Sequence, residues 1–241
     1  MSTNLLTWLL FGALLAAYFW YVRGGGVATG SGRIARYRRW MRRAPLAFGA
    51  ASFAALLAGG RLEALATLPD EFAQLAAHAR HLAGFGGDIA ALKFAVLAGF
   101  GGGVLLGLLI AWWRKHRGKR QLMAGNLTRI LPQTPGEFGW TTILAIVAGI
   151  VEELFFRLAL PLFATLASGS AELGFALAIA LFAFAHRYQG RTGMAFSVIA
   201  GGLLAILYLA TGSLWFTMLV HALLNLNGLV IRPALIGPAR A

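Results

Sequence analysis

Six polar residues stand where the surrounding sequence is apolar. Glu152, Glu153 and Arg157 fall inside the run Ile143 to Phe163, His186 closes the next apolar run, and His221 and Asn225 lie within the last. Ionisable side chains at membrane depth are rare, face a bundle interior or a water-filled cavity, and mark functional sites. On a helix, Glu153 and Arg157 are four residues apart with the carboxylate on the N-terminal side, the favoured order for an ion pair. A buried guanidinium requires such a partner. Glu152 projects about 100° away from Glu153 and is left to face a cavity or another helix, as a general base would. His221 and Asn225 are also four apart and share a face. Taken singly, each piece has an ordinary structural reading, since an interhelical polar contact is worth about 1 kcal/mol or less. Taken together, a carboxylate pair, two imidazoles and an amide in otherwise clean apolar segments read as one shared buried site.

The chemistry open to that set is peptide-bond hydrolysis. Glu152 with His186 would activate water, and His221 with Asn225 would donate hydrogen bonds to the developing oxyanion. The same atoms offer a second route, a zinc ion held by Glu152, His186 and His221 with water in the fourth position. Spacing alone leaves both routes open. The HExxH pattern of zincins is absent. There is no cysteine, so disulfides, thiolate catalysis and cysteine-ligated zinc are excluded.

The elements that position these groups must be membrane helices. Of the 241 residues, 59% are hydrophobic and only 12% charged, against about a quarter charged in a soluble domain. The expected fold class is all-α, a polytopic membrane helical bundle of about seven transmembrane helices. The apolar runs are 5–22, 44–59, 89–113, 140–163, 172–189, 192–210 and 213–231, several of them near the 20 or so residues that span a bilayer as helix. Leu5 to Val22 lacks a basic leader and a small-residue cleavage site, so it reads as a retained span. We divide the chain into an N-terminal membrane region, 1–139, a catalytic core, 140–231, and a tail, 232–241.

The net charge of +13 does not read as nucleic-acid binding, because no nucleic-acid module accompanies it. Arg33, Arg36, Arg38, Arg39, Arg42 and Arg43 form one cluster, and Arg114, Lys115, Arg117, Lys119 and Arg120 another, each directly beside an apolar run. Segments 23–43, 114–139, 187–191 and 232–241 carry most of the 21 Lys and Arg, whereas 60–88, 164–171 and 211–213 carry only Arg61 and Arg80. By the positive-inside rule this places the N-terminus outside and the C-terminus in the cytoplasm, with the clusters facing anionic lipid headgroups. The expected location is a bacterial plasma membrane. Residues 24–32 read as a flexible linker, and Pro69 to Leu82 as a short interfacial helix. Gly99, Gly101, Gly102, Gly103 and Gly107 read as a close-packing face of the third span. His78 and His81, three apart in the external segment, read as surface residues. Trp8, Trp20, Trp112, Trp113, Trp140 and Trp215 fall near span ends as an aromatic belt.

Against this background the motifs resemble a known family. The run GIVEELFFR is similar to the EExxxR motif of the CPBP family, the CAAX-protease and bacteriocin-processing intramembrane proteases (the Abi group). Phe182 to His186 matches its FxxxH motif and is followed by RYQG, while TGSLWFTMLVHALLN carries its HxxxN motif at His221 and Asn225. The resemblance covers residues 140–231. It implies that Glu152 is the catalytic carboxylate, His186 its partner, His221 and Asn225 the oxyanion side, and Glu153 with Arg157 a supporting ion pair. It also implies a membrane-associated protein or peptide substrate, cleaved either by a glutamate-type mechanism or with zinc. The residue after the motif arginine, commonly Gly, is Leu158 here. Two other functions use the same residues: a non-proteolytic membrane immunity or regulatory protein that binds a peptide in the pocket, and an ion-coupled transporter. The absence of an inverted repeat counts against the transporter.

Overall fold

The computed structural model describes residues 5–24, 32–84, 87–119 and 125–236. Most of the expected linker at 24–32, Arg120 and the end of the tail lie outside these residues. All seven apolar runs are helical, and no strand occurs among the described residues. Helix α1 spans Leu5–Arg23. Helix α2, Arg33–Ala44, runs through a π-helical turn, Pro45–Ala50, into α3, Ala51–Ala58. Two 3-10 turns, Leu62–Leu65 and Asp70–Phe72, lead to α4, Ala73–Ala83, and then to the long α5, Ile89–His116. The site-bearing half follows. Helix α6, Pro135–Glu153, passes through a second π turn, Leu154–Ala159, into α7, Leu160–Ser168. Helix α8 is Ala171–Ala185, α9 is Gly190–Thr211, and α10, Leu214–Leu226, continues through a third π turn, Asn227–Ile231, into α11, Arg232–Ile236. By length and composition, the helices Leu5–Arg23, Ile89–His116, Arg187–Thr211 and Leu214–Leu235 can cross a membrane. With the shorter apolar helices between them they form an all-α membrane bundle.

Local sequence sets the boundaries. Pro135 opens α6, and the Glu137 carboxylate accepts the backbone N–H groups of Gln133 and Thr134 at 2.7 and 3.3 Å, satisfying donors that have no partner at a helix start. Ser170 and Ser213 cap α8 and α10. Gly169 and Gly212, with φ of 79° and 63°, supply the left-handed turns that end α7 and α9, so each joins its successor by a tight reversal. The second and third π turns precede Pro161 and Pro233. A proline removes the N–H that would pair with the carbonyl four residues back. Those carbonyls, on Arg157 and Leu229, fall inside the π turns, where the bonding is reassigned.

The bundle closes on small residues. A Cβ placed on Gly149 of α6 would lie 2.6 Å from the backbone nitrogen of Ala222 on α10, and one on Gly174 of α8 would lie 2.7 Å from the carbonyl oxygen of Pro161. Glycine at these two points lets helix backbones touch. Around them, Tyr18, Phe48, Phe155, Phe156 and Phe182 form a buried aromatic chain. The Tyr18 hydroxyl donates to the Leu181 carbonyl at 2.7 Å, tying α1 to α8.

One expectation is extended and another needs correction. The basic cluster at 33–43, read from the sequence only as a charged segment beside an apolar run, forms helix α2, because Tyr37, Trp40 and Ala44 recur at helical spacing and are buried on one face. The glycines of α5 do not mediate close packing within the chain, since a Cβ on any of them would meet nothing within 4 Å. Most of α5 lies on the outside of the bundle. The Pro69 to Leu82 segment does contain a helix, α4, which packs on α9 and buries Ala76 and Ala79. His78 and His81 are exposed on it.

The turn ahead of α4 is held by Arg61, whose Nη2 meets both Glu71 oxygens at 2.8 and 2.6 Å. Burial acts to raise the Glu71 pKa, but the Arg61 hydrogen bonds and charge hold it below the ordinary carboxylate value. A depressed carboxylate pKa contributes stability above its unfolded value, about 4.3, and loses it as pH falls through the folded value. After solvent screening the contribution is about 1 kcal/mol. Hydrogen exchange of residues 60–84 is therefore expected to accelerate about fivefold in Glu71→Gln at pH 7, and in the wild type only below about pH 4. Gly149→Ala should lower the thermal midpoint of the purified protein, at about 1–3 kcal/mol for the overpacked crossing. An unchanged midpoint would mean that α6 and α10 are not locked there.

Candidate active site

The α6–α10 crossing brings the dispersed polar residues together. Glu152, His186, His221 and Asn225 all line one cavity of about 330 Å³, with Trp40, Leu127, Ile130, Phe182, Tyr188 and Gln189 among its other walls. Glu153 and Arg157 do not reach it. Their side chains are 0% exposed behind the wall, whereas the Glu152 side chain keeps 9%. The 100° turn between adjacent helical residues thus separates two identical carboxylates into one that faces the cavity and one that faces the protein.

Glu153 is the centre of the layer behind. Its Oε2 lies 3.1 Å from Arg157 Nε, and its Oε1 lies 2.6 Å from His221 Nδ1. The sequence pointed only to the arginine; the imidazole is a second partner, which no helical spacing could reveal because it lies on α10. The Arg157 guanidinium stacks on the Phe182 ring, 4.8 Å from its centroid. Its nitrogens make no aligned hydrogen bond among the described residues, so proximity to Glu153 and the ring face hold it.

These contacts fix both imidazoles. His186 ends α8, and its Nδ1 sits 2.8 Å from the Phe182 carbonyl, one of the acceptors left unpaired at a helix end. A carbonyl only accepts, so Nδ1 carries the proton and the neutral ring presents the Nε2 lone pair. His221 donates Nδ1–H to Glu153 and likewise presents Nε2, which lies 3.9 Å from Glu152 Oε2. That distance exceeds a direct hydrogen bond and leaves room for a bridging water. Asn225 directs one N–H at the Ala145 carbonyl over a long 3.4 Å and keeps the other.

Several wall residues escaped the sequence reading. Trp40, Leu127 and Ile130 come from the region before residue 140. They are held there by α2: the Tyr37 hydroxyl donates to Ile130 O at 2.8 Å, Arg36 to Arg129 O at 2.8 Å, and Arg33 to Thr128 O at 3.4 Å. On the other side, Asn126 N–H donates to Gln189 O at 2.9 Å. Gly125, with φ of 88°, sits so close to Gly193 that a Cβ would be 2.7 Å from its Cα. Basic residues therefore rim the end of the bundle where the cavity lies. Of the YQG residues that follow His186, Tyr188 and Gln189 are also wall. Inside the bundle, Phe196, Ala200, Leu204 and Leu224 separate the cavity from an apolar groove of about 490 Å³ between α5, α9 and α10.

Among the described residues no group of three or more His, Cys, Asp or Glu has the spacing to hold a metal ion. As arranged, Glu152, His186 and His221 are not grouped as a ligand set.

Residues 134–227 match the family of type II CAAX prenyl endopeptidases, Rce1-like. The three motifs and this match together place that segment in the CAAX-protease family. No curated protein and no solved structure matches the chain.

Arg157→Met would leave Glu153 buried with His221 as its only partner. Breaking a buried pair from one side costs about 3–5 kcal/mol, so the variant should unfold well below the wild type in a detergent melt. Glu153→Gln/Arg157→Met should recover part of the loss. A single variant as stable as wild type would contradict the pairing.

Proposed function

We propose that the protein is an intramembrane endopeptidase that hydrolyses a peptide bond of a membrane-associated protein or peptide. The observation that carries this reading is the convergence of Glu152, His186, His221 and Asn225 on one cavity, in a segment of the CAAX-protease family. A water held between Glu152 and the Nε2 lone pair of His186 attacks the scissile carbonyl carbon. Its proton passes to Glu152 as the C–O bond forms, and His186 steadies the water. The carbonyl oxygen becomes an oxyanion, met by the free N–H of Asn225. His221 joins it as a donor only while its Nε2 is also protonated. The proton on Glu152 is then delivered to the amide nitrogen, the C–N bond breaks, and a carboxylic acid, which ionises on release, and an amine leave. The Glu153–Arg157 pair does not touch the reacting atoms; Glu153 orients His221.

The arrangement favours a substrate delivered from the membrane at the basic end. The positive-inside rule assigns that end to the cytoplasm, and the wall shared with the apolar groove suits a hydrophobic anchor beside the cleaved bond. The family description concerns prenylated CAAX substrates, so prenylated and unprenylated peptides are both part of the test. On a library of membrane-anchored peptides, Glu152→Gln should lower turnover at least about 100-fold while the protein remains folded in detergent. Metal quantified by mass spectrometry on the same sample should be substoichiometric, with cleavage unaffected by chelator. Stoichiometric zinc that disappears in His186→Ala and His221→Ala, together with cleavage, would overturn the metal-free route. Undiminished turnover in Glu152→Gln would overturn the hydrolase reading itself and favour peptide binding without cleavage.

A further inference from the structure

The cavity contains more acceptors than donors. The Phe182 carbonyl and the Glu153 carboxylate take the Nδ1 protons of His186 and His221, so each ring, while neutral, offers its Nε2 only as an acceptor. Ser197 lines the cavity, but its hydroxyl donates to Gly193 O at 2.9 Å. Asn225 has one N–H remaining. Hydrolysis through a tetrahedral intermediate gains most from two or more fixed donors aimed at the oxyanion, and one amide hydrogen is a thin supply.

Tyr188 provides another. It lines the same cavity as Glu152, and its ring lies beside His186 with centroids 6.0 Å apart. The hydroxyl oxygen accepts Gln189 Nε2–H at 3.1 Å. An oxygen that accepts this bond keeps its own proton for a second partner, and among the described residues no acceptor takes it. Gln189 is itself fixed. Its carbonyl is bound by Asn126 N–H, and its side chain packs against Gly193, where a Cβ would come within 2.2 Å. The residue that aims the hydroxyl is thus held at both its backbone and its side chain.

We infer that Tyr188 is a catalytic oxyanion donor, with Gln189 as its positioning residue, pairing with Asn225 across the scissile carbonyl. This rests on the endopeptidase reading above. The C–O bond that forms, the C–N bond that breaks and the path of the proton through Glu152 are unchanged by it; the Tyr188 proton is shared with the oxyanion and is not transferred.

The test uses the full-length protein in detergent and one fluorogenic membrane-anchored peptide chosen because the wild type cleaves it. Tyr188→Phe removes only the hydroxyl. Its kcat should fall about 100-fold, the scale for one oxyanion donor, with KM within about twofold, because the hydrogen bond strengthens only as charge develops. The thermal midpoint should stay at the wild-type value. Gln189→Met leaves the hydroxyl but releases it, and kcat should fall by a smaller factor, about tenfold. On the inactive Glu152→Gln background, adding Tyr188→Phe should leave peptide affinity unchanged. A Tyr188→Phe kcat within twofold of wild type overturns the inference. A raised KM at constant kcat also overturns it, making Tyr188 a ground-state contact. If Tyr188→Phe does not fold, an unchanged kcat in Gln189→Met is the overturning result. Cleavage that survives Glu152→Gln removes the endopeptidase reading and this role with it, whereas cleavage that survives only Tyr188→Phe removes this role alone.

Discussion

Glu153 has no exposed surface, and two helices depend on what it binds. Its oxygens hold the Arg157 guanidinium one turn along its own helix and the His221 ring on α10. Removing a carboxylate from water is unfavourable by several kcal/mol, offset only when good partners meet both oxygens. Arg157 offers one oxygen an opposite charge, and the imidazole gives the other a hydrogen bond. Because that imidazole bond engages Nδ1, the ring can present only Nε2 to the cavity. A contact made for charge burial therefore also sets the tautomer and direction of a group at the candidate site. Phe182 plays a comparable double part from α8: its ring covers Arg157, and its carbonyl engages His186 Nδ1. The two histidines end up presenting the same atom to the same cavity by unrelated means, one through a carboxylate and the other through the exposed carbonyl of a helix end.

Glu153 can reach His221 only because the helices touch. Gly149 lies one turn before Glu153, and Ala222 follows His221 directly, so the closest backbone approach of α6 and α10 is adjacent to the bond it permits. Beyond Glu153 the helix widens into the π turn at Leu154–Ala159, which contains Arg157. The wider turn lets α7 continue past Pro161 without a break and keeps the arginine beside its partner. The bilayer offers little hydrophobic drive for helix association, so these close contacts and buried polar bonds carry more of the specificity of the bundle than they would in water.

The sequence was most legible where one segment contains both halves of a pattern. Seven apolar runs became seven helical runs, and the spacings Glu153–Arg157 and His221–Asn225 put each pair on one face of one helix. It was least legible where partners come from different elements. Nothing in RIARYRRWMRRA says that Tyr37, Arg36 and Arg33 would reach the carbonyls of 128–130 and carry Leu127 and Ile130 to the cavity, because those contacts join residues more than 90 positions apart. Charge density dominated the reading of that cluster, although Tyr37, Trp40 and Ala44 already marked a buried helical face. The glycines of α5 failed for a different reason. Small residues permit close approach but do not supply a neighbour, and within this chain none is there.

The region before residue 134 lies outside the family match, yet it shapes the mouth of the cavity. The strand of contacts from α2 through the 125–134 segment to the Gln189 turn forms a rim built from backbone carbonyls held by arginine and tyrosine. Such a rim is indifferent to the side chains at 128 and 129, since only their carbonyls are used. At the candidate site His221 depends on the Glu153 side chain, so that position tolerates little change; the rim is positioned through main chain and can vary in sequence while keeping its shape. A chain built this way can retain its chemistry in the matched segment and alter access through the remainder, where the walls Trp40, Leu127 and Ile130 face whatever enters.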